Sequence, residues 1–319
     1  MKVLVTGASG FLGRAVVGAL LEAGHTVRTL QRRPPGVAGA DDRRGSVTDP
    51  DAVASALSGI DGVVHLAAKV SLAGDPADFR EVNVEGTRTL LDAAADAGVT
   101  RIVHVSSPSV AHAGHALAGV GAEPADPSAA HGEYARTKAE AELLALSRAG
   151  ARTALVAIRP HLVWGPGDTQ LIARVVARAR RGTLPLLDGG TALIDSTYVD
   201  NAASGIVAAL ARVDDVSGRA YVLTNGEPRP VGDLLAGICR ASGVTPPRFS
   251  VPAGLAKAAG SLIERVWAVR PGQDEPPMTR FLAEQLSTSH WFDQTEIRRD
   301  LRWTPAVSID EGLRRLSRA

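Results

Sequence analysis

The sequence predicts an α/β fold, with a doubly wound parallel sheet and a smaller, mostly helical C-terminal substrate-binding part. Two observations predict it. Short β-branched runs alternate with Ala-rich helical stretches through the first two-thirds of the 319 residues, as in consecutive βαβ units. The runs at 2–6, 61–66 and 101–106 have few polar positions, which is typical of strands covered by helices on both faces.

The predicted elements follow in chain order. Strands are expected at residues 2–6, 26–30, 61–66, 101–106 and 153–159, with helices between them at 11–23, 50–57, 83–97 and 131–149. Beyond residue 160 the alternation loosens. Helices are expected near 169–181, 200–211, 231–241, 252–268, 278–285, 294–300 and 309–317, and strands near 193–196 and 219–224.

The first strand runs into a glycine loop of the pattern T-G-x-x-G-x-x-G, residues 6–13, which opens a helix. Gly7 permits the tight turn, Gly10 lets the backbone approach a pyrophosphate, and Gly13 lets helix and strand pack closely. The N–H groups at the helix start would then bind the phosphates. The residues expected at the cofactor are Gly7, Ser9, Gly10, Phe11, Leu12 and Gly13.

This loop predicts a Rossmann dinucleotide-binding domain over residues 1–165, with 192–225 returning to it. The substrate-binding part is then expected to comprise 166–191 and 226–319.

The end of the second strand indicates which dinucleotide binds. An NAD site expects Asp or Glu there to bond the ribose 2′-OH. The sequence instead reads Gln31-Arg32-Arg33, and guanidinium groups match phosphate geometry well. NADP(H) is therefore favoured over NAD(H), with Arg32 the preferred contact. The alternative interpretation is a solvated Arg pair on an exposed loop.

A catalytic group is predicted from Tyr134 and Lys138, which are spaced four apart on one helix face. The Lys138 charge should stabilise a phenolate and lower the pKa of Tyr134, which suits a general acid/base at a carbonyl or alcohol. Ser107 directly follows the strand predicted at 101–106, at the edge where parallel sheets bind ligands, and a hydroxyl there can hold the reacting oxygen. Ser106 is the other candidate for that role.

Composition excludes several function classes. The net charge is +1 and the Arg residues are scattered, so no nucleic-acid partner is expected. Cys239 is the one cysteine, and His112 and His115 have no carboxylate or Cys beside them, so no metal site is expected. We expect a cytoplasmic protein without a signal peptide or transmembrane span, and a lid over the active site at about 111–130.

Together the motifs resemble the extended short-chain dehydrogenases/reductases of the NAD-dependent epimerase/dehydratase superfamily. They are the glycine loop, 65–68 (HLAA), Asn83 within VNVEGT, Ser107 and the Tyr134/Lys138 pair. Three further segments resemble the 3β-hydroxysteroid dehydrogenase branch, which includes sterol-4α-carboxylate 3-dehydrogenases and 2-alkyl-3-oxoalkanoate reductases. They are 158–171 (IRPH…GPGDTQL), 195–201 (DSTYVDN), and 287–293 (STSHWFD) with 303–308 (WTPAVS).

The resemblance implies roles for individual residues. Tyr134 would be the acid/base, Lys138 would bond the nicotinamide ribose, and Ser107 would orient the substrate oxygen. The other residues implied at the cofactor are Gln31, Arg32, Arg33, Ser46, Val47, Leu66, Ala67, Ala68, Asn83, Pro160, His161 and Val163. Ser46 stands where family members often carry an Asp that meets adenine, which weakens the adenine contact.

The branch indicates a 3-oxo or 3-hydroxy centre on a large apolar substrate. NADPH usually serves reduction, so a 2-alkyl-3-oxoalkanoate reductase is favoured. His161 is a candidate donor for the substrate carboxylate. The alternative interpretation of His161 is a loop histidine bonded to the backbone. The alternative functions are a 3β-hydroxysteroid or sterol-4α-carboxylate dehydrogenase, a nucleotide-sugar epimerase or dehydratase, and a non-catalytic NADP(H) sensor. The family also implies a homodimer. The apolar stretch 251–269 is interpreted as a substrate-lobe helix or as a peripheral contact with a membrane or partner.

Overall fold

The structure is a computed structural model, and it describes residues 1–34, 36–71, 74–111, 116–268 and 279–318. The strands in chain order are β1 (Lys2–Thr6), β2 (Thr26–Gln31), β3 (Asp41–Arg44), β4 (Gly62–His65), β5 (Arg101–Val105), β6 (Leu117–Val120), β7 (Ala154–Pro160), β8 (Val163–Trp164), β9 (Leu186–Leu187), β10 (Leu193–Ile194), β11 (Thr197–Tyr198), β12 (Ala220–Leu223), β13 (Arg229–Pro230), β14 (Ser250–Val251) and β15 (His290–Phe292).

The helices in chain order are α1 (Phe11–Glu22), α2 (Pro50–Leu57), α3 (Pro76–Arg80), α4 (Gly86–Asp96), α5 (Glu133–Leu146), α6 (Leu171–Arg180), α7 (Val199–Ala211), α8 (Val231–Ala241), α9 (Ala253–Ala268), α10 (Arg280–Ser287), α11 (Thr295–Leu301) and α12 (Ile309–Leu316). A π-helical turn, Glu81–Glu85, joins α3 to α4.

The main sheet has seven parallel strands in the order β12-β7-β5-β4-β1-β2-β3. The strand order reverses between β1 and β4, and this reversal is the switch point at which such sheets bind ligands. Apolar side chains of α1 and α7 cover one face, and those of α2, α4 and α5 cover the other. The predicted doubly wound Rossmann fold is therefore confirmed.

The edge strand β3 was not among the predicted strands. Its sequence is Asp-Asp-Arg-Arg and it is mostly exposed, so it carries no apolar pattern. Polar contacts hold it in place instead, since Arg28 Nε donates to Asp41 at 2.8 Å and Thr29 Oγ1 donates to Asp42 at 3.1 Å.

A second sheet of four strands, in the order β13-β10-β15-β6, accompanies the C-terminal helices. This sheet is an addition to the expected, mostly helical part. β12 pairs with β7 in the main sheet, whereas β10 belongs to the second sheet. The predicted lid at 111–130 contains β6, which pairs with β15, while His112 and His115 lie outside the described residues.

Helix α9 occupies most of the apolar stretch 251–269. Its Leu255 and Leu262 side chains are 65% and 63% exposed, whereas Ala256 packs against Leu187 and Ala283. Across the described residues, the helices are all too short or too polar to cross a membrane.

Candidate active site

The glycine loop lies at the carboxyl end of β1, beside the switch point. Gly7 has a φ of +71°, and a Cβ there would lie 2.8 Å from the Ala67 nitrogen. A Cβ on Gly13 would lie 2.3 Å from the Gly7 carbonyl oxygen. Both positions therefore require glycine, and the loop closes tightly onto α1.

The start of α1 fits the phosphates of a dinucleotide. The helix begins at Phe11, its N-cap Gly10 makes no side-chain hydrogen bond, and its first turn has no acidic residue. The first N–H groups of a helix lack intrahelical partners and carry partial positive charge. Leu12 and Ser9 flank this turn and are half-buried.

Buried polar contacts fix the segment after β4 beside the glycine loop. Thr6 Oγ1 lies 2.7 Å from His65 Nδ1 and accepts a hydrogen bond from the Ala67 N–H at 3.2 Å. Leu66, Ala67 and Ala68 are half-buried here, where the adenosine and ribose path is predicted.

Asn83 joins this segment to the predicted catalytic helix. Its Oδ1 accepts from the Lys69 N–H at 2.7 Å, and its Nδ2 donates to Thr137 Oγ1 at 3.0 Å. The amide is thus engaged by protein groups at both ends. The direct cofactor contact implied for Asn83 stays a prediction, whereas its contacts position α5.

The end of β2 exposes the two arginines expected at the 2′-phosphate. Arg32 and Arg33 are exposed, whereas Gln31 is buried and donates through Nε2 to Thr29 and Asp42. After β3, the Ser46 hydroxyl lies 2.9 Å from that of Thr48. The neighbouring Val47 is buried against Gly86.

Tyr134 and Ser107 face each other across one cavity. Tyr134 is the second residue of α5, and its side chain lines the same cavity as Ser107. The Ser107 Oγ lies 2.9 Å from the Ser109 Oγ. Burial raises the pKa of Tyr134, and the Ser107 hydroxyl partly opposes that rise.

Lys138 lies one turn beyond Tyr134 and is buried. Its Nζ donates to the Val105 carbonyl oxygen at 2.7 Å, and burial lowers its pKa to about 8, against the opposing charge of Glu142. The expected lowering of the Tyr134 pKa by Lys138 is not observed. Burial dominates that pKa, and the Lys138 ammonium donates to the backbone of β5.

Ser106 and Ser107 both follow β5, but their side chains have different surroundings. Ser106 is buried, and its hydroxyl has no hydrogen-bond partner among the described residues. Ser107 instead lines the cavity with Tyr134. This geometry favours Ser107 as the residue that contacts substrate.

The cavity has a volume of about 250 Å³, and most of its wall is apolar. It extends from the end of the main sheet into the C-terminal part. Its walls are formed by Ser107, Pro108, Ser109, Leu117, Tyr134, Pro160, His161, Leu162, Leu171, Ile194, Val231, Leu234, Leu235, Ile238, Gln285, Leu286, His290 and Phe292.

A buried histidine pair forms part of the same wall. His161 Nε2 lies 2.9 Å from His290 Nδ1, and His290 Nε2 lies 2.7 Å from the Gln285 carbonyl oxygen. A carbonyl only accepts, so His290 Nε2 donates to it and His161 Nε2 donates to His290 Nδ1. Leu162, which follows His161, has a φ of +41° and also lines the cavity. Val163 starts β8 and is half-buried.

His290 and Ser109 are among the cavity residues that were not predicted as site residues. His290 lies in the quoted segment 287–293, but no spacing links it to His161, and only the pairing of β15 with β10 and β6 brings it there. Ser109 follows Ser107 by two residues, and a third serine after the strand could have indicated it. Among the described residues, no group of three His, Cys, Asp or Glu could hold a metal ion.

The fold and site define a class of enzyme, the nicotinamide-dinucleotide oxidoreductases of the extended short-chain dehydrogenase type. A model of the NAD dependent epimerase/dehydratase family matches residues 3–224. The chain belongs to this family, and it is an NAD(P)-dependent oxidoreductase.

Individual relatives agree with this family. The chain is 42% identical to a 2-alkyl-3-oxoalkanoate reductase of Stenotrophomonas maltophilia, over 99% of this chain and 98% of that protein. It is 31% identical to a 3 beta-hydroxysteroid dehydrogenase/Delta 5→4-isomerase of Mycobacterium tuberculosis, over 98% and 88%. The solved structure of MoeE5 with UDP-glucose and NAD is similar, with a TM-score of 0.76 and 26% identity, covering 100% of this chain and 98% of that one.

Proposed function

We propose that this protein is an NADP(H)-dependent oxidoreductase that interconverts a 3-oxo and a 3-hydroxy group, and that it reduces a 2-alkyl-3-oxoalkanoate. The observation that carries the proposal is the cavity, in which Tyr134 and Ser107 meet at one end of a mostly apolar wall. The relative from Stenotrophomonas maltophilia supports the substrate class.

Within this proposal each catalytic residue has a distinct task. Ser107 donates a hydrogen bond to the 3-oxo oxygen and positions it beside the Tyr134 hydroxyl. Tyr134 then gives that oxygen a proton as the alcohol forms. NADPH, when bound, would supply the hydride for the carbonyl carbon. Lys138 would bond the nicotinamide ribose, and its positive charge would favour the Tyr134 phenolate.

The apolar wall supports a long-chain substrate. Leu234, Leu235 and Ile238 lie along one side of α8, and Leu171 on α6 also lines the cavity. We propose that residues 166–191 and 226–319 form the substrate-binding part, since most of this wall comes from them. Alkyl chains buried there would leave water, at roughly 0.8 kcal/mol per methylene.

The proposal also includes the choice of cofactor and a peripheral contact of the protein. Exposed Arg32 at the end of β2 supports NADP(H), because no carboxylate stands at residues 32–33 to bond a ribose 2′-OH. The exposed Leu255 and Leu262 support a peripheral contact through 251–269. The homodimer and the cytoplasmic location stay predictions.

A 3β-hydroxysteroid or sterol-4α-carboxylate dehydrogenase is the second candidate. The relative from Mycobacterium tuberculosis and the apolar wall favour it. The wall is less suited to a nucleotide sugar, because the described lining includes no Arg or Lys to bind a diphosphate.

Nicotinamide absorbance with matched substrates tests the proposal. Wild-type protein receives NADP⁺ with a 2-alkyl-3-hydroxyalkanoic acid, and NAD⁺ or NADP⁺ with a 3β-hydroxysteroid. Turnover of the hydroxy acid is expected, with a loss of about 10²- to 10⁴-fold in Tyr134→Phe. Tyr221→Phe is the control, since its hydroxyl bonds Asp300 away from the cavity.

Turnover of only the steroid would move the protein to the second candidate. Tight NADPH binding without turnover of any substrate would indicate a sensor.

A further inference from the structure

A buried carboxylate needs a donor or a cation close to it, since burying an isolated charge costs several kcal/mol. The proposed substrate carries a carboxylate two bonds from the reacting carbonyl carbon. That group must therefore lie beside Ser107 and Tyr134, inside the cavity. The lining residues include no Arg or Lys among the described part of the chain.

The histidine pair lies at the required place. β5 and β7 are adjacent parallel strands with Val105 opposite Ile158, so Ser107 and His161 both follow the same end of this strand pair. Both residues line the cavity. His161 is therefore one strand away from the residue that holds the reacting oxygen.

The pair is held rigidly from two sides. The His290 ring is fixed between His161 and the Gln285 carbonyl oxygen, and the Phe292 ring stands edge-on to His161 with centroids 5.3 Å apart. His161 is 7% exposed and His290 is 2% exposed. Such fixed rings can aim N–H groups at a ligand without losing side-chain entropy on binding.

The chemistry of the pair suits an anion better than a neutral group. In the neutral pair both N–H groups are engaged within the protein, by His290 Nδ1 and by the Gln285 carbonyl oxygen. One added proton gives His161 a second N–H and makes the pair a cation. Protonation in an empty apolar cavity is unfavourable, and burial lowers the pKa of His290. A carboxylate in the cavity would offset that cost, so the charge is favoured only when an acid is bound.

We propose that His161, positioned by His290, binds the substrate carboxylate and selects 2-alkyl-3-oxo acids over neutral ketones of the same chain length. This inference rests on the proposed function, and it adds a specificity site to it. His161 contacts the substrate, and His290 acts through His161 as a positioning residue.

The test compares two probes that differ only in charge. Wild-type protein receives NADP⁺ with a 2-alkyl-3-hydroxyalkanoic acid or with its primary carboxamide, which has nearly the same size and shape. We expect kcat/KM to favour the acid by about tenfold to a hundredfold, the range of one charged hydrogen bond. The same ratio is measured for His161→Gln and His290→Gln.

In both variants the ratio should fall close to one, mainly through a higher KM for the acid. His25→Gln is the matched control, because His25 precedes β2 and so lies at the amino ends of the parallel strands, away from the carboxyl ends that carry the site. Unfolding temperature and NADPH affinity establish that each variant is folded and binds cofactor.

A wild-type ratio near one overturns the inference even if neither variant folds. An equal loss with both probes in folded variants also overturns it, since that loss would indicate a structural role only. In both cases the wild-type protein still oxidises the hydroxy acid, so the proposed function stands. If wild type oxidises neither probe, the proposed function fails and this inference fails with it.

Discussion

Arg159 and Glu142 form a fully buried ion pair between the strand that leads to His161 and the helix that carries Tyr134. Arg159 Nε donates to Glu142 Oε2 at 2.9 Å, and its Nη1 donates to the Glu123 carbonyl oxygen at 2.7 Å. One guanidinium thereby fixes β7 relative to α5 and to the segment before Tyr134. The two sides of the active site are held in register by this contact.

Removing one member of this pair should be strongly destabilising. Glu142→Leu leaves the Arg159 charge buried without its counter-ion, and we expect a loss of about 3–5 kcal/mol in the free energy of unfolding by urea. The double variant Glu142→Leu/Arg159→Met should recover most of it. Arg212→Ala, which breaks the exposed pair with Asp215, should change stability by less than about 1 kcal/mol. Equal losses in the single and double variants would contradict the argument.

Two glycines of α1 make a matched pair for testing the cofactor loop. A Cβ at position 13 would lie 2.3 Å from a backbone oxygen, whereas one at position 18 has nothing within 4 Å. Gly13→Ala should therefore abolish NADPH binding measured by fluorescence. Gly18→Ala should retain it and raise stability by up to about 1 kcal/mol through helix propensity. Unchanged binding in Gly13→Ala would show that the loop does not hold the cofactor.

Arg32 should set the choice between the two dinucleotides. Arg32→Ala removes a charged hydrogen bond to the 2′-phosphate, so the Kd for NADPH should rise about tenfold to a hundredfold while that for NADH stays constant. Arg88→Ala provides the control, because Arg88 is exposed on α4 and pairs with Glu85 at the end of the π-helical turn. If wild type binds NADH as tightly as NADPH, the solvated-pair interpretation of Arg32 and Arg33 is correct.

The buried histidines under the site predict loss of stability in acid. Burial lowers the pKa of His65 to about 3 and that of His104 well below its usual value, and Lys138 adds to both effects. Both rings stay neutral in the folded state but take up protons near pH 6.5 when unfolded. Their contribution is therefore complete above pH 6.5 and falls with pH below it, by up to about 1.4 kcal/mol per unit for each histidine.

His104→Leu tests this dependence, because both ring nitrogens of His104 are without hydrogen-bond partners among the described residues. Between pH 6.5 and pH 5 the variant should lose about 2 kcal/mol less than wild type in urea unfolding. Parallel curves for wild type and His104→Leu would disprove the assignment.

The sequence predicted the main sheet because its strands are apolar runs at regular spacing with helices between them. It did not predict β3, because charged side chains on an exposed edge give no hydrophobic pattern. The second sheet was largely missed for another reason. Of its strands only β10 lies at a predicted strand, 193–196. β13 and β15 are two and three residues long and pair with distant segments, so local pattern carries almost no signal there.

The site divides in the same way. Tyr134 and Lys138 are linked by a helical spacing, and Ser107 is marked by its position after a strand. Local sequence patterns therefore predict all three as site residues. The 2.7 Å hydrogen bond from Lys138 to Val105 and the pairing of His161 with His290 depend on tertiary packing. Neither contact could be predicted from sequence spacing, because each joins residues of different elements that meet only in the folded structure.

The pairing of β6 with β15 also constrains the order in which the protein can assemble. β6 lies in the chain between Ser107 and Tyr134, but its hydrogen-bonded neighbour β15 is translated only after α10. A nascent chain could therefore complete the nucleotide-binding sheet while Leu117 and the other apolar wall residues were still open to water. The enzyme would acquire its cofactor pocket early and its substrate cavity last, with an interval in which chaperones have an exposed apolar surface to bind.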